Sequence, residues 1–274
     1  MSYRFSVLII GDEILSGKRQ DGHLAKAIEI LAERGLQLAG AEYAGDDLPG
    51  IAARLERLFA SGDQVFSFGG IGATPDDHTR QAAALALGQP LALHPQAAER
   101  MQDMARDKGE AFDPERADNR QRLQMGVFPE RAQIIENPYN KIPGFSCAGV
   151  TVNGVGGWIH FLPGFPVMAW PMMAAVLDAR YRDAFHRQAV TERSVKVYGA
   201  MESALTPWMV ELEAQFPAVK VFSLPSVGHA GEEAHIELGV KGSPEAVAQA
   251  WPVLQGKLHQ NGARMSAEMV REIR

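Results

Sequence analysis

The residues best suited to chemistry in this sequence are three pairs of acids, each standing just after an apolar run. Asp12-Glu13 follows Phe5 to Ile10, Asp46-Asp47 follows Leu38 to Tyr43, and Asp76-Asp77 follows Gln64 to Phe68. Magnesium is typically held by one or two such carboxylates together with substrate phosphates and water. The third pair also lies beyond a glycine-rich turn, Gly69-Gly70-Ile71-Gly72-Ala73-Thr74, and leads into a helix predicted from Ala82 to Leu87. Glycine allows close approach of backbone N–H groups, and a helix N-terminus favours an anion. The turn therefore reads as a site for phosphate or another anionic oxygen, with a divalent cation required between that anion and Asp76-Asp77. Read singly, each acid pair is also a helix cap or a solvated loop.

Other catalytic templates fit less well. Gly11 to Arg19 superficially matches a phosphate-binding P-loop, but five residues separate Gly11 from Gly17, and Arg19 stands where a metal-binding hydroxyl belongs. The sequence has no GxSxG nucleophile elbow, no HExxH zinc pair and no two His at helical spacing. His78 stands beside the glycine turn, where it is a candidate base and equally a packing or capping residue.

These acids need elements to bring them together. Compact apolar runs separated by helical periodicities (Leu24, Ala27, Ile28, Leu31; then Ile51, Leu55, Leu58) give the order β, α, β, α, β, glycine turn, α. Such alternation predicts a parallel sheet covered by helices, with a ligand site beyond the carboxyl ends of the strands. All three acid pairs then fall at one edge. A broken helical stretch follows from Leu91 to Gln124, interrupted at Pro95 and Pro114, in which Asn119 and Arg120 are candidate ligand contacts. Further strands are predicted at Gln133 to Glu136, Ala148 to Val152 and Trp158 to Leu162, with Lys141 a candidate phosphate contact in the loop between the first two. After Leu162-Pro163-Gly164-Phe165-Pro166 a helix is expected to run to about Phe185.

Past His186 the pattern becomes β-α-β-β-α: strands at Arg193 to Tyr198, Val219 to Leu224 and Ala234 to Val240, helices at Ser203 to Phe216 and Pro244 to Leu258. This predicts a second, smaller domain. Its Gly228-His229-Ala230-Gly231 matches the GxxG string of nucleic-acid-binding KH folds, but residues 187 to 274 carry nine Lys and Arg against ten Asp and Glu. A hairpin turn accounts for it better.

The 274 residues, 46% hydrophobic, are enough for a substantial core, and a net charge of -6 gives no electrostatic pull toward nucleic acid or an anionic membrane. Cys147 is the only cysteine, which excludes an internal disulfide or a thiolate zinc cluster and suits a core filler. The start of the sequence lacks a signal-peptide pattern, and no apolar run reaches spanning length. A cytoplasmic protein is expected.

With these residues assembled, the first 180 or so positions resemble the molybdopterin-binding MoaB/Mog family, and within it the N-terminal part of the CinA (competence/damage-inducible) proteins. The matching pieces are Gly11-Asp12-Glu13-Ile14-Leu15-Ser16-Gly17, Gly45-Asp46-Asp47, Gly69-Gly70-Ile71-Gly72 through Thr79, Asn137-Pro138 with Pro143-Gly144, and Leu162 to Pro166. The resemblance implies a three-layer α/β/α domain with a mostly parallel sheet at residues 1–185, followed by a small α+β, KH-like domain at 190–274. It implies a molybdopterin or nucleotide ligand, Mg²⁺ or another divalent cation, and a homo-oligomer, with no nucleic acid or membrane partner. In CinA-like proteins the pocket is associated with hydrolysis of nucleotide pyrophosphates such as ADP-ribose; adenylyl transfer to molybdopterin and non-catalytic binding are the alternatives.

By that resemblance the metal falls to Asp46 and Asp77, with Asp12 positioning metal or water. Phosphate or ligand contacts fall to Gly69, Gly70, Gly72, Thr74, Thr79, Lys141 and Gly164. The deamidase domain that completes many CinA chains is not expected here. Ala73 in place of a usual proline, Asp21-Gly22-His23 where an Asn-containing motif is common, Tyr139-Asn140-Lys141-Ile142 in place of a Gly-Thr-Ala type loop, and no acid after Pro166 are departures around the presumed pocket.

Overall fold

In the computed structural model, which describes residues 3–107, 109, 111–149, 157–187, 189–229 and 231–273, strand β1 (Phe5–Ile10) is buried along its whole length. Its side chains divide between two cores. Leu8 and Ile10 face one side, with Ile51, Leu55 and Leu58 of α3 (Leu48–Ser61) and Ala82 and Ala83 of α4 (Thr79–Leu87). Phe5, Val7 and Ile9 face the other, with Ala27, Ile30 and Leu31 of α2 (His23–Ala32) and Met172, Met173 and Leu177 of α7 (Pro166–Arg180). A strand apolar on both faces is the signature of a sheet buried between helical layers. The architecture is therefore α/β/α.

The sheet runs β2-β1-β3-β8-β7-β6. Strands β1, β2 (Leu38–Ala44), β3 (Gln64–Phe68) and β8 (Trp158–Leu162) are parallel, whereas β7 (Gly144–Ala148) and β6 (Gln133–Ile135) are antiparallel additions at one side. Stacked rings of Phe128, Phe145 and Phe161, with centroids 4.6 and 4.4 Å apart, fix that side against α3 and α4. Such pairs contribute about 0.5–1.5 kcal/mol each beyond their burial.

Several local expectations shift. The acids Asp12 and Glu13 stand in a one-turn helix, α1 (Asp12–Leu15), rather than a loop. Pro95 opens α5 (Pro95–Asp107) instead of breaking a helix, because a first-turn residue has no intrahelical N–H bond to lose. A small ladder of β4 (Leu91–Leu93) with β5 (Val127–Pro129) brackets α5 and α6 (Ala117–Gln124). The strand expected at Ala148 to Val152 is instead β7, ending at Ala148, and 150–152 lie outside the described residues. Helix α7 ends at Arg180, followed by a 3-10 turn at Arg182–Ala184.

The chain divides into two compact units, Met1–Phe185 and His186–Arg274. The second is an antiparallel sheet in the order β10 (Val219–Ser226), β11 (His235–Gly242), β9 (Val190–Tyr198), β12 (Arg264–Met265), with β13 (Met269–Ile273) also on β9. Helices α8 (Glu202–Gln215) and α9 (Pro244–Gln260) bury Leu205, Leu212, Trp251 and Leu254 against it, and Ser243 caps α9 by accepting from the Ala246 N–H. Gly228 and Gly231 stand between the hairpin strands β10 and β11, where His229 and Glu232 exchange backbone bonds; Ala230 lies outside the described residues. Strands β12 and β13 were not expected, being too short or too irregular for alternation to register.

Candidate functional site

Beyond the carboxyl ends of β1, β2, β3 and β8 lies a cavity of about 750 Å³. The residues that open it are glycines for a steric reason. Gly69 has φ 100 and Gly70 φ 68; a Cβ at Gly69 would stand 2.3 Å from the Ile10 carbonyl oxygen, and one at Gly70 2.1 Å from Thr79 Oγ1. No other residue type permits the turn to pass so close to β1 and α4.

The acids of the three connections meet here. Glu13, Asp46, Asp76 and Asp77 line the cavity, and Asp12 lines an adjoining one with Glu13, Asp46 and Asp76. The ends of β1 and β2 are tied reciprocally, since the Asp12 N–H donates to Asp46 Oδ2 at 2.8 Å and the Asp46 N–H to Asp12 Oδ1 at 3.2 Å. Partial burial raises the pKa of Asp46, the Asp12 bond opposes that rise, and the charges of Asp12, Glu13 and Asp76 add to it. Asp47 is an N-cap, accepting the Gly50 N–H at 2.8 Å, and stays out of the cavity lining. Asp77 braces the glycine turn by accepting the Thr74 N–H at 2.8 Å as well as its hydroxyl.

Among the residues expected at the site, Asp46, Asp77, Gly69, Gly70, Gly72, Thr74 and Gly164 line the cavity. Thr79 does not. Its buried hydroxyl donates to the Gly69 carbonyl and its N–H to that of Gly70, so it holds the turn from behind. Lys141 is not brought to the cavity either: at φ 60 it projects from a turn organised by Asn137 and Asn140, and its ammonium pairs with Asp107. The cavity's cations are instead Lys18 and Arg19, in the segment rejected as a P-loop. His78 is the N-cap residue of α4 and outside the lining, and Asn119 is buried with its amide on the Asp113 carbonyl.

Two further positions received no role from sequence. His23 lies stacked on Phe68 at 4.5 Å, with Nε2 3.1 Å from the Gly164 carbonyl and the Trp170 indole donating to Nδ1 at 3.2 Å. Burial lowers its pKa. It is thus a neutral imidazole with Nε2–H donating, and it fixes the Gly164 loop at the cavity wall. Arg80, buried behind the turn, donates to the carbonyls of Gly72 and Gln124.

With Glu13, Asp46, Asp76 and Asp77 against Lys18 and Arg19, the lining carries four acids and two bases. Among the described residues no three His, Cys, Asp or Glu side chains form a metal cage. Magnesium bound chiefly by phosphate and water needs no such cage, and the crowded, half-buried Asp46 carboxylate suits one. A diphosphate alone would meet net repulsion from the excess of acids over bases, and a divalent cation cancels that excess.

A family described as probable molybdopterin binding domain matches residues 6–183. Protein Ta0487 of Thermoplasma acidophilum is 31% identical over 245 residues, 88% of each chain. A CinA-like protein of Geobacter metallireducens is 31% identical over 227 residues, 79% of this chain and 50% of its own length. The chain therefore spans about half of that CinA-like relative. The structure of the protein CinA from Thermoplasma acidophilum is similar at a TM-score of 0.54 and 29% identity, over 64% of this chain and 98% of that one. These matches bear out the resemblance and the three-layer fold. No helix among the described residues is long and apolar enough to cross a membrane.

Proposed function

This chain belongs to the probable molybdopterin binding domain family, and from that premise we propose that its cavity binds a nucleotide diphosphate ester of the ADP-ribose kind and hydrolyses the phosphoanhydride. The reading is carried by one observation: acids from the ends of three successive strands converge on a glycine turn in a single cavity, with two cations beside them. Asp46 and Asp77 would hold Mg²⁺, which supplies charge neutralisation and polarises the phosphoryl oxygens when bound. The residues of the chain itself position the reactants. N–H groups of Gly70 to Ala73 receive one phosphate, Lys18 and Arg19 offset charge on the other in the role first assigned to Lys141, and Asp12 orients water. Water adds at one phosphorus, the P–O–P bond breaks, and two phosphomonoesters leave. Catalysis of this type is positioning and electrostatics, with no covalent nucleophile. The reading includes a cytoplasmic homo-oligomer.

Incubation with ADP-ribose, FAD, CoA and ATP plus Mg²⁺ or Co²⁺ tests it. Cation-dependent conversion of at least one, lost in Asp77→Ala, is expected; no turnover, or turnover indifferent to Asp77→Ala, removes the enzymatic claim. A second reading, a non-catalytic pterin or nucleotide module, is favoured by the engagement of Asp77 Oδ2 with both donors of Thr74. Calorimetric binding without product would select it. Transfer of AMP to molybdopterin in place of release of two monoesters would select adenylyl transfer.

A further inference from the structure

The backbone of the glycine turn has its two kinds of polar group sorted. The carbonyls of Gly69 and Gly70 accept from the hydroxyl (3.1 Å) and N–H (3.0 Å) of Thr79. The Gly72 carbonyl accepts from Arg80 Nη2 at 2.6 Å, and the Ala73 carbonyl from Gln121 Nε2 at 2.5 Å. The N–H groups of Gly70, Ile71, Gly72 and Ala73 donate to nothing among the described residues, and all four residues line the cavity. A row of free N–H groups beside engaged carbonyls is an anion-binding concavity.

Arg80 occupies a position that is unfavourable on its own terms. It is the second residue of α4, where the helix dipole opposes a cation, it is only 5% exposed, and its Nε has no partner among the described residues. Burial holds its pKa down while Asp77 opposes that. Its other terminal nitrogen donates to the carbonyl of Gln124, the last residue of α6. Gln121 of the same helix reaches the next carbonyl of the turn. Helix α6 buries only Asn119, so little apolar packing fixes it in place.

Building on the function proposed above, we infer that Arg80 and Gln121 are positioning residues: they hold the Gly72 and Ala73 carbonyls so that the turn offers its N–H groups to an anion. Through them, occupancy of the turn and ordering of α6 become one equilibrium. A phosphate on the free N–H groups offsets the buried guanidinium and tightens the turn, and the tightened turn holds α6 through the Arg80 and Gln121 bonds. Loosening α6 must weaken the ligand by the same factor.

Hydrogen exchange on the full chain tests this with and without ADP-ribose and Mg²⁺, using Arg80→Met, Arg80→Lys and Gln121→Leu. Without ligand, the Met and Leu variants are expected to exchange faster than wild type at the bonded N–H groups of Thr74 and Thr79 and in 117–124, while β1 and β8 stay unchanged and report folding of the first unit. Arg80→Lys, which keeps the charge but has one nitrogen to offer, falls between wild type and Arg80→Met. With ligand, wild type gains protection at 117–124 as well as 70–74, and Arg80→Met binds about tenfold or more weakly, the cost of roughly one hydrogen bond to a charged group. Unchanged exchange at Thr74 and Thr79 in the ligand-free variants overturns the positioning role, and ligand protection confined to the glycine turn overturns the coupling. Should ADP-ribose fail to bind wild type, the proposed function falls instead, and the ligand-free arm still decides this inference. Gln121 is exposed, so its variant remains informative if Arg80→Met does not fold.

Discussion

Around the cavity of the first unit, Glu13, Asp46, Asp76 and Asp77 stand near Lys18 and Arg19, yet none of the six enters an ion pair among the described residues. In the second unit charge on and beside the strands is matched: Lys196 with Glu232, Lys241 with Glu192 at 2.9 Å, Arg193 with Glu268 at 3.3 Å, and Arg264 with Glu233. The contrast separates two uses of charged residues. Matched pairs on exposed strands keep a surface hydrated and add little stability. Unmatched charge held close together raises the energy of the empty site, and a ligand of complementary charge lowers it again. Between the two stands a buried polar chain inside the first unit. The Ser146 hydroxyl meets His160 Nδ1 at 2.8 Å, His160 Nε2 meets the Tyr181 hydroxyl at 2.7 Å, and that hydroxyl donates to Gln64 Oε1 at 2.7 Å. Everything in that chain is satisfied and nothing is left for a ligand.

The sharpest break comes at Asp77. Replacing it by alanine removes the brace of Thr74 together with a proposed cation ligand, and turnover is expected to fall by about 10²-fold or more, measured by product release under Mg²⁺. Next in size is His160→Leu, which strands the Ser146 hydroxyl and is expected to cost about 2–4 kcal/mol of unfolding free energy in urea at pH 7.5.

That variant also tests a pH dependence. Burial, aided by the charge of Arg180, lowers the pKa of His160 to about 3, so the folded protein keeps it neutral. An unfolded histidine titrates near ~6.5, so the unfolded chain binds more protons below that value. Stability contributed by neutral His160 is present above that pH and declines as pH falls through the window toward the folded value, by up to ~1.4 kcal/mol per pH unit. In His160→Leu this part of the acid slope should vanish; an identical slope between pH 6.5 and 4 would remove the assignment.

Smaller effects sharpen the contrast between regions. Asp46→Asn relieves like-charge crowding, so without divalent cations its Tm is expected about 1–2 °C above wild type, and the Mg²⁺-dependent rise of Tm should be lost. Lys196→Ala breaks an exposed pair in the second unit and should shift Tm by less than about 1 °C, leaving turnover unchanged. If it shifted Tm more than Asp46→Asn, the distinction between matched and unmatched charge would fail.

Most of the sheet was legible because two-sided burial writes itself as short, mostly apolar runs. Phe5–Ile10, Gln64–Phe68 and Trp158–Leu162 are such runs, and helices α2 and α3 showed the matching periodicity. Five elements of two to five residues without such a run escaped, α1, β4, β5, β12 and β13, since so few positions complete no period. Asp21 caps α2 from one position upstream: its carboxylate accepts from His23 and Leu24 although Gly22 occupies the N-cap position. The acids of the site were visible from strand-end placement, whereas Lys141 was misplaced and Lys18, Arg19, Arg80 and His23 went unassigned. Long side chains choose partners by reach through space, and for them neighbours in sequence are poor guides.

The order of strands and helices, and with it the edge that carries Asp12, Asp46 and Asp77, was fixed by local pattern, because hydrophobic period and the β-α alternation act over a few residues at a time. Which acids stay unpaired, and which carbonyls of the glycine turn are occupied, was decided only in the folded chain. Arg80 reaches Gln124 across 44 positions and Gln121 reaches Ala73 across 48. Hydrogen bonds of that separation depend on distances set by the packed layers, and no short-range pattern in the chain encodes them.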